Sequence, residues 1–169
     1  MQSIKKILLT GFMGAGKSHF LAKLKENSAI HHFVDLDQEI LAPRGSHLGE
    51  LIERVGWGPF RQMEHDLLRD LMASEDNLVI ALGGGAFSEN NQKLLEKGVI
   101  IWLNTPFDIC FARIKESKER PLVKLSREDL LKLYGERALQ YKKCKYVLNL
   151  DQMQEINSLE DLFSHIGPI

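Results

Sequence analysis

One eight-residue segment, Gly11-Phe12-Met13-Gly14-Ala15-Gly16-Lys17-Ser18, limits what this chain can become more than any other. It fits G-x-x-x-x-G-K-[S/T] at every fixed position. An apolar strand-like run, Ile4–Thr10, leads into it, and a helical pattern, Lys17–Glu26, leads out. Glycines in such a turn let consecutive backbone N–H groups face inward around phosphate oxygens. The following helix adds the positive end of its dipole. Lys17 is placed to reach the β- and γ-phosphates of a nucleotide, and Ser18 to offer a hydroxyl to Mg²⁺. The competing reading is a chance glycine-rich turn, but strand, loop and helix stand in the required order.

The rest of the pattern alternates in the same way, which predicts an α/β fold around a mostly parallel sheet. Further strands are expected over His32–Leu36, Leu78–Leu82, Val99–Leu103 and Tyr146–Leu150. Helices are expected over Leu48–Val55, Pro59–Ala73, Asn90–Glu96 and Pro106–Lys115, over a long segment capped by Ser126, and over Ser158–Ile166. Between the helices lies Glu116–Lys124, with five charged residues in nine, read as a mobile loop or as a plain solvated connector. With 169 residues and no linker or repeat, one domain is expected.

A net charge of -1 gives no basic surface for nucleic acid. Apolar runs such as Val99–Leu103 are too short to span a bilayer, and the first residues do not read as a signal peptide. Cys110 and Cys144 lie in no metal-ligand spacing and are read as reduced thiols. A cytoplasmic monomer, with no membrane or nucleic-acid partner, is the expectation.

Charged residues in three places break the local pattern. Asp35 and Asp37 flank Leu36 at the carboxyl end of the second strand, where i and i+2 share a face. Ligands of open α/β sheets bind at that end. The pair suits one metal contact and one acceptor hydroxyl, although Asp37 also suits a helix cap. In the helix from Pro59, Glu64 falls inside the stripe of Phe60, Met63, Leu67, Leu68 and Leu71, with Arg61 at its edge. Either Glu64 orients Arg61 toward an anion, or the two form a structural ion pair. In the helix from Ser126, Arg137 sits at the centre of the stripe of Leu130, Leu133, Tyr134 and Tyr141. It needs an anion, from the protein or from a ligand. Two arginines with this need suggest a substrate that carries a carboxylate.

These motifs, with Gly83-Gly84-Gly85, Arg120-Pro121-Leu122 and Tyr141 four residues after Arg137, resemble the shikimate kinase family over roughly residues 4–151. The resemblance implies a three-layer α/β/α P-loop kinase fold with a five-stranded parallel sheet and a mobile lid at about 116–124. Substrate-binding helices would span about 38–74. It implies ATP-dependent phosphorylation of the 3-hydroxyl of shikimate, with Mg²⁺. Lys17, Asp37 and Arg120 would be catalytic. Gly14, Ala15, Gly16, Lys17, Ser18, His19, Arg113 and Arg120 would hold the nucleotide, Arg113 lying against adenine. Asp37, Arg61, Gly84 and Arg137 would hold shikimate. Ser18 would ligate the metal, and Asp35 would hold it through water.

The chain departs from the family pattern at His19, at Gly56-Trp57 and at Gly45-Ser46-His47-Leu48. The last two bear on acceptor choice. Another small-metabolite kinase on this scaffold, acting on gluconate or adenylylsulfate, and a non-catalytic ATP sensor are the alternatives.

Overall fold

The computed structural model describes residues 6–29, 31–117 and 125–167. Five strands, β1 (Lys6–Thr10), β2 (His32–Asp35), β3 (Leu78–Ala81), β4 (Val99–Asn104) and β5 (Tyr146–Asn149), form one sheet in the order β2-β3-β1-β4-β5. Every neighbouring pair is parallel, as the alternating pattern predicts. Each crossover is therefore long enough to carry helix, and both sheet faces are covered.

The helices are α1 (Lys17–Lys25), α2 (Leu36–Leu41), α3 (Leu48–Val55), α4 (Trp57–Ala73), α5 (Gln92–Leu95), α6 (Phe107–Glu116), α7 (Arg127–Tyr141), α8 (Leu150–Glu155) and α9 (Leu159–Ile166). Alternation along β1 divides the core. Ile7 and Leu9 pack with Phe20, Leu21 and Leu24 of α1 and Leu162 of α9, while Leu8 packs with Leu68 and Met72 of α4 on the opposite face. A smaller cluster, Ile40, Leu51, Ile52 and Phe60, ties α2, α3 and α4 together. Ser126 caps α7 as expected, its hydroxyl accepting from the Asp129 N–H at 3.0 Å.

Several boundaries differ from the sequence reading. The second strand ends at Asp35, and Leu36 already opens α2. Asp35 and Asp37 therefore do not share a strand face. Asp35 is the cap, its carboxylate accepting from the Gln38 N–H at 3.3 Å, and Asp37 lies in the first turn. Leu36 is fully buried and so satisfies either periodicity, which is why a short apolar run misled the assignment. The helix expected from Pro59 begins two residues earlier, at Trp57. The fifth strand stops at Asn149, whose side chain caps α8 in a reciprocal pair with Gln152. The segment expected as one helix over Asn90–Glu96 is a 3-10 turn, Glu89–Asn91, followed by α5.

Arg120 and most of the expected lid, residues 118–124, lie outside the described residues.

Candidate active site

The loops after β1, β2 and β3 leave the same edge of the sheet, so residues distant in sequence meet there. They line one cavity of about 1060 Å³. At one end is the phosphate loop. Gly14 has φ 78°, and a Cβ there would lie 2.6 Å from the Cys110 carbonyl oxygen. Only glycine fits both the left-handed backbone and that approach. Two side chains fasten the loop from behind. Thr105 Oγ1 donates to the Ala15 carbonyl at 2.8 Å, and Arg113 Nη1 donates to the Gly14 carbonyl at 3.0 Å. These two bonds hold the Ala15 and Gly14 carbonyls, and the Ala15 N–H closes the turn on the Phe12 carbonyl at 3.0 Å.

Gly14, Ala15, Gly16, Lys17, Ser18 and His19 all line this end of the cavity. Lys17 Nζ donates to the carbonyls of Gly11 at 2.8 Å and Phe12 at 3.0 Å, within the loop it serves. Ser18 Oγ donates to Asp35 Oδ2, which brings together the two residues expected at a metal. Among the described residues no cluster of three or more His, Cys, Asp or Glu side chains could hold a metal ion. A hydroxyl beside one carboxylate fits Mg²⁺ that takes its other ligands from phosphates and water.

The other end carries the charged residues that broke the helical patterns. Arg61, Glu64, Asp37, Gly84, Gly85 and Arg137 all line it. Glu64 is buried, with 1% of its side chain exposed, and pairs with Arg61, which is 36% exposed. Burial pushes the Glu64 pKa up, Arg61 pulls it down, and neighbouring Asp37 pushes it up again. Arg137 is largely enclosed, and burial lowers its pKa from the ordinary guanidinium value. Its guanidinium lies 5.8 Å from the Phe12 ring centroid, yet Nη1 is buried without a hydrogen-bond partner. Arg61 in turn lies over the rings of Trp57 at 5.0 Å and Phe60 at 5.5 Å.

The glycine run after β3 closes the cluster. A Cβ on Gly83 would fall against Glu64 Oε1 and 2.6 Å from Asp37 Oδ1. A Cβ on Gly84 would lie 3.1 Å from Arg137 Nη1. The backbone is bare because four charged side chains crowd it.

Twelve of the thirteen expected site residues therefore border one cavity, the exception being Arg120 beyond the described residues. Gly83, Gly85 and Trp57 were noted in the sequence without a role at the site, and Thr105 was not noted. A run of three glycines at a strand end was the available signal for the first two. Trp57 and Thr105 act through contacts that no local pattern reveals. Leu150, Met153, Gln154 and Lys23 also border the cavity, and Lys23 Nζ donates to the Gln154 carbonyl at 2.6 Å. The sequence alone assigns no role to this stretch near residues 151–154.

Comparison with known proteins agrees with this geometry. The family described as "Shikimate kinase" matches residues 13–166. The curated shikimate kinase of Persephonella marina is 39% identical over 136 residues, covering 79% of this chain and 82% of the relative. That of a Sulfurihydrogenibium species is 30% identical and covers 96% of this chain and 98% of its own. The structure of Acinetobacter baumannii shikimate kinase in complex with shikimate superposes with a TM-score of 0.79 at 29% identity, covering 97% of this chain and 96% of the other. A backbone in common, an ordered set of motifs and a site with a phosphate cradle at one end and two guanidinium groups at the other lead to one assignment: this chain belongs to the shikimate kinase family.

Proposed function

We infer that the chain transfers the γ-phosphoryl group of ATP to the 3-hydroxyl of shikimate, giving shikimate 3-phosphate and ADP. The observation that carries this is the enclosure of Arg61, Arg137 and Asp37 in the same cavity as the phosphate loop. A ring carboxylate takes the charge-assisted hydrogen bonds that buried Arg137 Nη1 does not find among the described residues. Arg61, paired with Glu64, supplies a second donor. The Gly84 backbone, against Arg137, lies where the same substrate would rest.

At the nucleotide end, residues 14–19 hold the phosphates and Arg113 flanks the adenine. Lys17 leaves the loop carbonyls for the phosphate oxygens. Ser18 would hold Mg²⁺, with Asp35 holding it through water, and the metal would supply charge neutralisation for the phosphates. Asp37 accepts the hydroxyl proton as the acceptor oxygen bonds to γ-phosphorus and the bond to the β–γ bridging oxygen breaks. The path is in-line, without a covalent enzyme intermediate. Arg120 descends with the lid at about 116–124 to stabilise the transferring group, and closure keeps water from intercepting it. Residues of about 38–74 form the substrate-binding unit.

The proposed enzyme is a monomer. No helix among the described residues is long and apolar enough to cross a membrane, and dependence on ATP supports a cytoplasmic location.

The deciding experiment is a coupled assay of ADP release with shikimate, quinate, gluconate and adenylylsulfate as acceptors. Turnover with shikimate well above the others is expected. ADP release with none of them, despite ATP binding, would point to a sensor instead.

A further inference from the structure

The glycine run 83–85 has no side chain with which to hold its own shape, and glycine is the residue with the most backbone freedom to lose. Its own backbone closes the turn, the Ala86 N–H donating to the Gly83 carbonyl at 3.1 Å, but that bond does not tie it to the helix carrying Glu64 and Arg61. On its strand side the Leu82 N–H donates to the Leu9 carbonyl at 2.9 Å. On its other side stands Asn91, 4% exposed and outside the cavity. Asn91 Nδ2 donates to the Ala86 carbonyl at 2.8 Å. That carbonyl accepts, so Nδ2 is the donor and Oδ1 must face the other partner, His65 Nδ1, at 2.7 Å. His65 Nδ1 therefore carries its hydrogen. His65 is the residue after Glu64, on the helix that also carries Arg61.

We propose that Asn91 is a positioning residue for shikimate. Its amide clamps the glycine turn to α4, so that the Gly84 backbone and the arginine cluster hold one spacing. This rests on the assignment of Arg61, Gly84 and Arg137 to the substrate. Both ends of a buried amide are used in the clamp, one on the loop and one on the helix. The phosphate loop is fastened separately, by Thr105 and Arg113, so ATP binding does not depend on it.

Two substitutions separate the parts. Asn91→Asp keeps the size and the acceptor for His65 but has no amide hydrogen for the Ala86 carbonyl. His65→Phe keeps a ring on half-buried α4 and leaves Asn91 on Ala86 alone. Both raise the KM for shikimate roughly three- to tenfold, the scale of one lost hydrogen bond, with the KM for ATP and kcat within about twofold. Thermal melting is followed in parallel. If Asn91→Asp fails to fold, His65→Phe decides.

A folded variant with the native shikimate KM, or one in which both KM values rise together, overturns the proposal. Arg137→Ala is measured alongside. If it raises the shikimate KM while the clamp variants do not, only the clamp is wrong. If the native enzyme does not turn over shikimate, the functional reading itself fails.

Discussion

Arg61 and Arg137 face one cavity with unequal partners: Arg61 is bound to buried Glu64, whereas Arg137 has a buried nitrogen that bonds to nothing among the described residues. Leaving a buried donor unmet is costly, and its persistence points to a ligand that meets it. The two arginines should therefore contribute unequally to binding, with Arg137 the larger.

Arg137→Ala is expected to raise the KM for shikimate by roughly 10- to 100-fold, the range for a hydrogen bond to a charged group, and to leave kcat and the KM for ATP nearly unchanged. Steady-state kinetics with each substrate varied in turn measures this. A native shikimate KM in the variant would remove Arg137 from the carboxylate.

Asp37→Asn should act on kcat. The amide cannot take the acceptor proton, and a loss of about 10²–10⁴ is expected if that transfer limits the reaction. Arg120→Ala should lower kcat by ~10²–10³ through lost charge stabilisation of the transferring phosphoryl group. A loss confined to KM in either variant would contradict these roles.

Glu64 gives the site a pH signature. Its pKa is raised in the folded protein, chiefly by burial, above an ordinary value of 4.5. The folded state then holds its proton after the unfolded chain has lost it. The stabilising contribution is complete below about pH 4.5 and declines as pH rises from there through the folded pKa. Glu64→Gln should flatten this decline, so urea midpoints of variant and native protein should follow different slopes as pH rises above 4.5. Parallel slopes would show that Glu64 ionises normally.

Gly83→Ala places a methyl group against Glu64 and 2.6 Å from Asp37 Oδ1. Overpacking of this kind costs about 1–3 kcal/mol. A melting temperature lower by several degrees is expected, with reduced activity because Asp37 must move. Gly135→Ala is a control, since a Cβ there meets nothing within 4 Å. Equal melting temperatures for the two variants would show that the glycine turn yields easily.

Much of this site was legible before folding. The phosphate loop reads directly from sequence because its function lies in the backbone, and a backbone turn leaves glycines at set spacings. Glu64 and Arg137 stood out because a helix repeats every 3.6 residues and a charge inside an apolar stripe needs a partner. Asp35 and Asp37 were placed at the right end of the sheet by the wrong geometry: the chain turns into α2 one residue sooner, and the carboxylates reach the cavity from a cap and a first turn.

By itself, then, the sequence determined the order of the five strands and of the longer helices but not α2 or α8, together with the phosphate cradle and the charges that had no local reason to be buried. Only the tertiary structure decided that Arg61 and Arg137, on α4 and α7, border the same space as Ser18, and that Arg137 keeps one buried nitrogen without a partner among the described residues. Periodicity is a property of a single element. Convergence and hydrogen-bond satisfaction depend on how parallel strands stack their carboxyl ends together, and on which side chains then fall within reach.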